Sequence, residues 1–388
     1  IRRPPRSTLF HYTTLFRSYR CLQPQGEYEL DGMAVRSPGL EAIFHLLCVL
    51  LHYRTIQTQK GSIHRKTVER WSTRVGIDYP KETFFQFAVE FCENQGLLSI
   101  SKEHYRPSVH VKSWFSQEEK TLRSELWSYY SKHRLFRDRW FQQFLTLFRT
   151  AEGWIQIHQK SPVFSIADIV NAWGYPDESA LILDALEWLA FLGLIQFNHA
   201  EMPTTFHITR EGIETLCHCS IPTGESPPAD FCMLQPNFDF LVPPGFGYAV
   251  LWNLEHLAEF KRRDVFTEYH ISQHSILFGM RRGWKREEVH DFFRNLTGGR
   301  FSGNVEYSLD EWTRRYGQIT LRRIVLLECV TPDLAEEIAH VPEVRDMLEQ
   351  RISDRCYAVS EVHVRTVLRI LRERGYEPSA AKRLIDEE

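Results

Sequence analysis

Residues 231–244 read FCMLQPNFDFLVPP. Apolar and polar side chains alternate along this run, the period of a half-buried strand, and the alternation predicts Phe238, Phe240 and Val242 on one face. Upstream the period is different. Between residues 40 and 216 apolar side chains recur at helical spacing. The change of regime falls at 217–230, CHCSIPTGESPPAD, where three Pro and one Gly interrupt a stretch almost without apolar content. This stretch reads as a linker between a helical N-terminal part and a mixed α/β C-terminal part.

Beyond the opening strand, helices are expected at 248–260, 273–282, 285–296, 304–316, 332–340, 342–352 and 363–374, and ITLRRIVLLECV at 319–330 reads as a tight hairpin. Helix 304–316 carries Val305, Leu309, Trp312 and Tyr316 on one stripe. Asp310 and Arg314 are placed to pair at i, i+4 on its outer face.

Upstream of the linker, LEAIFHLLCVLLHYR at 40–54 has a broad apolar stripe and predicts a buried helix. A basic segment, KGSIHRKTVERWSTRVG at 60–76, follows. Next comes a Pro-initiated helix ended by Gly96, then a short hairpin expected from Leu97 to Ser101 and Ser108 to Lys112 around a Tyr-Arg-Pro loop. Three helices and a hairpin are the winged-helix order. The order recurs after a polar connecting helix at 116–132: one helix at 137–149, a second capped by Ser165, a third opened by Asp177 and stopped at Gly193. Strands at 194–198 and 205–208 and a last helix capped by Thr209 complete it. The expected fold class is therefore α+β, mainly α: a winged-helix-like unit at 19–115, a connecting helix and second unit at 116–216, the linker, a mixed α/β domain at 231–378 and a tail at 379–388.

Residues 1–18, IRRPPRSTLFHYTTLFRS, repeat a TLF motif and resemble a translated sequencing-adapter read, so they are expected to be unstructured and an upstream truncation is expected. They hold four Arg and no acid. Without them 43 basic residues face 50 acidic ones, and the net charge falls from −3 to −7. Such a chain has no global attraction to nucleic acid. No apolar stretch reaches the roughly 18–20 residues of a membrane span. Of the eight Cys, Cys48, Cys92, Cys232, Cys329 and Cys356 sit in apolar runs, which with no export signal visible favours a reducing cytoplasm.

The run 231–376 resembles the N-terminal domain of XPB-type DNA helicases, a helicase-associated module of the C-terminal-associated type that also occurs in bacterial proteins. LQPNFDFLVPP is similar to its opening strand, and EYHISQHSILFGMRRGWKREEVHDFFRNLT to the strand, helix, glycine turn and helix that follow. VEYSLDEWTRRYGQITLRRIVLLECVTPDLAEEI carries Trp312, Tyr316, Gly317, Leu327, Glu328 and Cys329 where the family has an aromatic helix, a glycine turn and a hairpin. The chain departs from the family at Ile271 and Ser272, where a Thr is usual, and at Ser302-Gly303, where a Pro is usual. The resemblance implies a non-catalytic domain that docks a motor onto a partner, with Phe238, Phe240, Trp312, Tyr316, Gly317 and Leu327 in its core. The partner subunit in the eukaryotic transcription and repair factor TFIIH has helical, winged-helix-like units before a similar domain, the order seen here.

Catalytic chemistry is not visible. A phosphate-binding loop needs Gly-Lys-Ser/Thr, and the dipeptide Gly-Lys occurs nowhere in the chain. Asp310-Glu311 and Asp177-Glu178 read as surface or capping acids. Cys217, His218, Cys219 and Cys232 lack the spacing of common zinc sites. No catalytic residue, metal, cofactor or small-molecule substrate is expected.

Two function classes remain open. The first is a non-enzymatic adaptor for a helicase or nuclease. The second is a DNA-binding regulator using the basic segment 60–74. A recognition helix needs cations on its exposed side, yet the first third-helix offers Glu82, Gln86, Glu90 and Glu93, and residues 161–209 contain no Lys or Arg. Weak, non-specific contact with phosphates is left to Lys60, Arg65, Lys66, Arg70 and Arg74, and to Lys261, Arg262, Arg263, Arg281, Arg282, Lys285 and Arg286, each group being equally readable as a solvated or acid-paired surface.

Overall fold

The computed structural model describes residues 26–29, 37–53, 55–56, 65–75, 82–101, 104–133, 141–158, 160–173, 179–198, 204–216, 231–264, 266–319 and 324–379. Residues 1–18, the linker 217–230 and all but the first residue of the 379–388 tail lie outside them. The described chain is mixed α/β and mainly α. It divides into two units, Ile1–Thr313 and Arg314–Glu388, a division that falls inside the 231–378 span.

The first unit is built around α1, Pro38–His52. Pro38 presets the first turn, and residues 39–50 are all buried, as expected of a helix apolar on every side. Two polar groups secure it early: Trp71 Nε1 donates to Ala42 O at 2.8 Å, and Ser37 Oγ donates to Leu192 O at 2.9 Å. A two-residue strand β2 (Thr55–Ile56), α2 (Arg65–Val75), α3 (Glu82–Asn94), β3 (Leu98–Ser101) and β4 (His104–Pro107) complete a sheet ordered β2-β4-β3. The hairpin closes earlier than the sequence predicts. Tyr105 is buried and its hydroxyl donates to Glu93, so Tyr-Arg-Pro belongs to the strand, while Ser108 to Lys112 leads into the short helix α4 (Val111–Phe115) because Val111, Trp114 and Phe115 bury there.

The connecting helix α5 (Glu119–His133) buries Leu122, Leu126 and Tyr130. Beyond it, α6 (Phe141–His158) runs past the expected end at 149, through Gly153. A strand unforeseen in the sequence, β5 (Lys160–Ser165), precedes α7 (Ile166–Trp173), α8 (Ser179–Phe191), β6 (Ile195–Phe197), β7 (Thr205–Ile208) and α9 (Arg210–Leu216). With β1 (Gly26–Glu29) it forms a sheet ordered β1-β5-β7-β6. Two expected caps hold: Ser165 Oγ accepts from Asp168 N, and Thr209 Oγ1 from Gly212 N, while Asp177 lies outside the described residues. α3 and α8 end alike, on left-handed Gly96 and Gly193, with the next residue's N–H returning to the carbonyl five back, Cys92 or Leu189.

Residues 231–244 form a hairpin, not one strand. β8 (Met233–Leu234) and β9 (Asp239–Val242) flank a turn in which Phe238 N donates to Gln235 O and Asn237 Oδ1 accepts from Asp239 N. Phe238 therefore leaves the face it was expected to share with Phe240 and Val242 and takes φ of 68°. β10 (Glu259–Arg263) and β11 (Thr267–His270) extend the sheet in the order β10-β11-β9-β8. Helices α10 (Tyr248–Leu257), α11 (Gln273–Met280), α12 (Arg286–Thr297) and α13 (Gly303–Arg315) follow. The buried positions of α13 are Val305, Leu309 and Thr313. Trp312 is half-buried against the Phe238 ring, 5.4 Å between centroids, and Tyr316 is exposed, so the stripe predicted through Tyr316 drifts off the core. Asp310 pairs with Arg286 of α12 rather than with Arg314.

In the second unit, Gly317 takes φ of 78°, and β12 (Val325–Glu328) includes Leu327, which packs at the edge of a separate core. β12 pairs with β14 (Cys356–Val359) in a sheet ordered β12-β14-β13, and residues 320–323 of the hairpin expected at 319–330 lie outside the described residues. The helix expected at 342–352 is only α15 (Pro342–Arg345). Residues Leu348–Ser353 form β13 instead and return to β14 through Asp354-Arg355. α14 (Pro332–Ala339) and α16 (Val364–Glu373) supply the rest of the core. Among the described residues no helix is long and apolar enough to cross a membrane.

Candidate functional site

The expected basic residues separate into four groups. Lys60 lies outside the described residues. Arg74 and Arg263 are structural: the Arg74 guanidinium donates to Glu255 and lies 4.3 Å over the Phe260 ring, while Arg263 donates to Glu41. Neither can serve as a free phosphate contact. A third set is occupied at the surface: Arg65 with Glu69, Lys261 with Asp239 and Glu268, Arg262 with Glu268, and Arg286 with Asp310. Lys66 is exposed, and Arg70 lies 4.0 Å over the Tyr53 ring. Arg281 and Lys285 are exposed, whereas Arg282 lies 3.5 Å over Phe278 and donates to Leu51 O.

Arg74 and Arg263 belong to a buried ionic seam between α1 and the 231–313 segment. Glu255, on α10, has no exposed area, and its carboxylate accepts from Arg74, from His52 Nε2 at 3.1 Å and from Tyr269 Oη at 3.2 Å. Burial alone would raise its pKa, but the Arg74 guanidinium and then His52 hold it below the usual carboxylate range. Glu41, on α1, accepts from Arg263 and from Tyr248 Oη at 3.1 Å. Two carboxylates thus face two guanidiniums, the compensated arrangement that a buried charge requires.

His45 sits inside this seam, 3.4 Å from Glu41 Oε2 but without hydrogen-bond alignment at either ring nitrogen. Burial pushes its imidazole below the ordinary range, against the pull of Glu41. Burial, then the neighbouring Glu255 charge, pushes Tyr269 and Cys48 up. The sequence held a signal for the seam: Glu41 and His45 interrupt an otherwise apolar helix, and Glu255 interrupts another.

The third helices face each other. Phe84 of α3 stacks on Phe191 of α8 at 4.3 Å and meets Trp188 edge-on at 4.5 Å, and Phe87 reaches the same Trp188 at 5.4 Å. The side of α3 left to solvent is the one with Glu82, Gln86 and Glu93, Glu90 being half-buried. Within the second helical unit His207 stacks on Tyr28 at 3.8 Å, and burial lowers its pKa to about 4. Among the described residues no group of His, Cys, Asp or Glu is arranged to hold a metal ion; Cys217, His218 and Cys219 lie outside them, and Cys232 is buried.

Every strand pairing among the described residues is antiparallel. Residues 232–353 match a family model described as a helicase conserved C-terminal domain. The match covers under a third of the chain and gives it a helicase-associated character. Among curated proteins none matches the sequence.

Proposed function

We propose that this chain is a non-enzymatic, helicase-associated adaptor that docks a DNA helicase or another DNA-processing partner through residues 231–378, read as similar to the XPB N-terminal domain. The observation that carries the reading is the helicase-type match at 232–353 on a segment whose strands are all antiparallel. A phosphate-binding motor lobe is built from parallel strand–loop–helix units, and the missing Gly-Lys agrees. The helix-strand-helix-helix-hairpin order of residues 38–107, with its three-stranded sheet, supports the winged-helix-like reading of the first unit. Its third helix, acidic outside and packed on α8 inside, favours a protein-facing role over base readout.

Two assays test the proposal. The purified chain should hydrolyse no ATP above background, with or without duplex DNA. From an extract of its own source cells it should capture a protein that carries a phosphate-binding loop and helicase motifs, or a nuclease. ATP hydrolysis by the pure chain, or capture that enriches neither, contradicts it. The alternative, a DNA-binding regulator using residues 60–74, loses Arg74 to the buried seam and has Arg65 paired with Glu69.

A further inference from the structure

Around the turn at 281–285, cations from separate parts of the sequence converge. Arg282 is fixed from two sides: its Cζ lies 3.5 Å over the Phe278 ring, and one Nη donates to Leu51 O in the last turn of α1 at 3.2 Å. Tyr105 pairs with Thr55 just beyond that end of α1, and the next residue of β4, Arg106, is near enough for its charge to act on Arg282. From the other side Lys112 of α4 brings its Nζ to 5.9 Å from the Trp284 ring. Arg281 and Lys285 flank the turn itself. Arg106, Lys112, Arg281 and Lys285 are all exposed.

Among the described residues none of these cations has a carboxylate partner. Glu288 accepts the backbone N–H of Lys285, not its ammonium. The contrast with Lys261, Arg262 and Arg286, each ion-paired, is direct. Burial, and then the positive field of Arg106, even lower the Arg282 pKa, so the fold holds like charges together without a counter-charge. Such clustering is unfavourable unless an anion completes it.

We propose that Arg106, Lys112, Arg281 and Lys285, arranged around the anchored Arg282, form a composite rim that binds the sugar-phosphate backbone of duplex nucleic acid. The rim spans the first helical unit and the 231–313 segment, so it exists only when the buried seam is closed. Its cations come from a strand, a helix and a turn, with Arg282 fixed by Phe278 and Leu51 O and Lys112 set against Trp284. Backbone contact of this kind carries affinity without sequence readout. The proposal stands apart from the adaptor reading, since a chain that captures no motor can still bind duplex here.

The test is fluorescence anisotropy of the full chain with a labelled duplex of about 20 base pairs, titrated between about 50 and 200 mM salt. The Arg106→Gln/Lys112→Gln/Arg281→Gln/Lys285→Gln variant should bind at least about tenfold more weakly at the low-salt end. Its log–log salt slope should fall by about 3 to 4, roughly 0.9 for each phosphate no longer neutralised. Arg65→Gln/Lys66→Gln/Arg70→Gln should leave that slope unchanged, and thermal melts should show both variants folded. The proposal is overturned if the wild-type chain binds no duplex near 50 mM salt, if the control loses as much as the rim variant, or if polyglutamate competes as well as duplex does.

Discussion

The two helical units end their third helices on the same glycine turn and both use aromatic contacts, yet buried ion pairs are added only where the first meets the 231–313 segment. The first is tied to the 231–313 segment by compensated charge, Glu41 with Arg263 and Glu255 with Arg74, in addition to aromatic contacts of Phe44 and Phe115 with Tyr248 and Trp252. The second meets the first through aromatic packing of Phe84 and Phe87 on Trp188 and Phe191, with hydrogen bonds from Ser37 to Leu192 and from Trp114 to Glu125. The difference matters physically. Apolar attachment is insensitive to pH and tolerant of shape-conserving change, whereas a buried ion pair is strongly destabilised when one partner is removed, because the other stays uncompensated.

The largest expected effect follows directly. Glu255→Ala leaves Arg74 buried without its counter-charge and should destabilise the first unit by about 3 to 5 kcal/mol, read as a lower denaturant midpoint; the double variant Glu255→Ala/Arg74→Ala should recover part of the loss. An unchanged midpoint would reduce the seam to a bystander. In the second unit, Gly212 packs so tightly that an added Cβ would lie 2.1 Å from Leu194 O. Gly212→Ala should therefore cost about 3 kcal/mol, the upper range for overpacking, with no effect on the pH dependence of the loss.

Acid separates the regions further. His45 and His207 have folded pKa values below the unfolded one, so the stability they contribute is complete above about 6.5 and is lost as pH falls through the folded values, about 4 for His207. Glu255, also depressed, adds a second loss as pH drops below about 4.3. Glu211, in the second unit, has the opposite sign: burial raises its pKa, so its protonation favours folding there. Hydrogen exchange from pH 7 down to about pH 3 should show protection falling in both units first, then, below about 4.3, further at the seam. The smallest effect belongs to Arg70→Ala, which removes an exposed stack on Tyr53 and should shift stability by less than about 0.5 kcal/mol.

Local chemistry was legible in the sequence. Ser165 and Thr209 as caps and Gly96 and Gly193 as stops need only a few neighbouring residues, and each acts as expected. Pairings distant in sequence were not. β5 contains Pro162 and finds its partner strands at residues 26–29 and 205–208, so no local period marks it. Phe238 alternated correctly with Phe240, yet Asn237 turned the chain between them. Arg74 looked like one more cation beside Lys66 and Arg70, because the carboxylate that buries it lies on a helix beyond the linker. Glu41 and Glu255 were the missed residues, and their mark was a lone acid on an apolar helix.

The central claim is that residues 38–115 and 231–313 form one cooperative body closed by buried charge. Hydrogen exchange on the Glu41→Gln/Glu255→Gln variant tests it most directly. α1 and α10 should lose protection together and by the same free energy, while α8 keeps its own. Loss confined to one of the two helices, or none in either, would contradict the account.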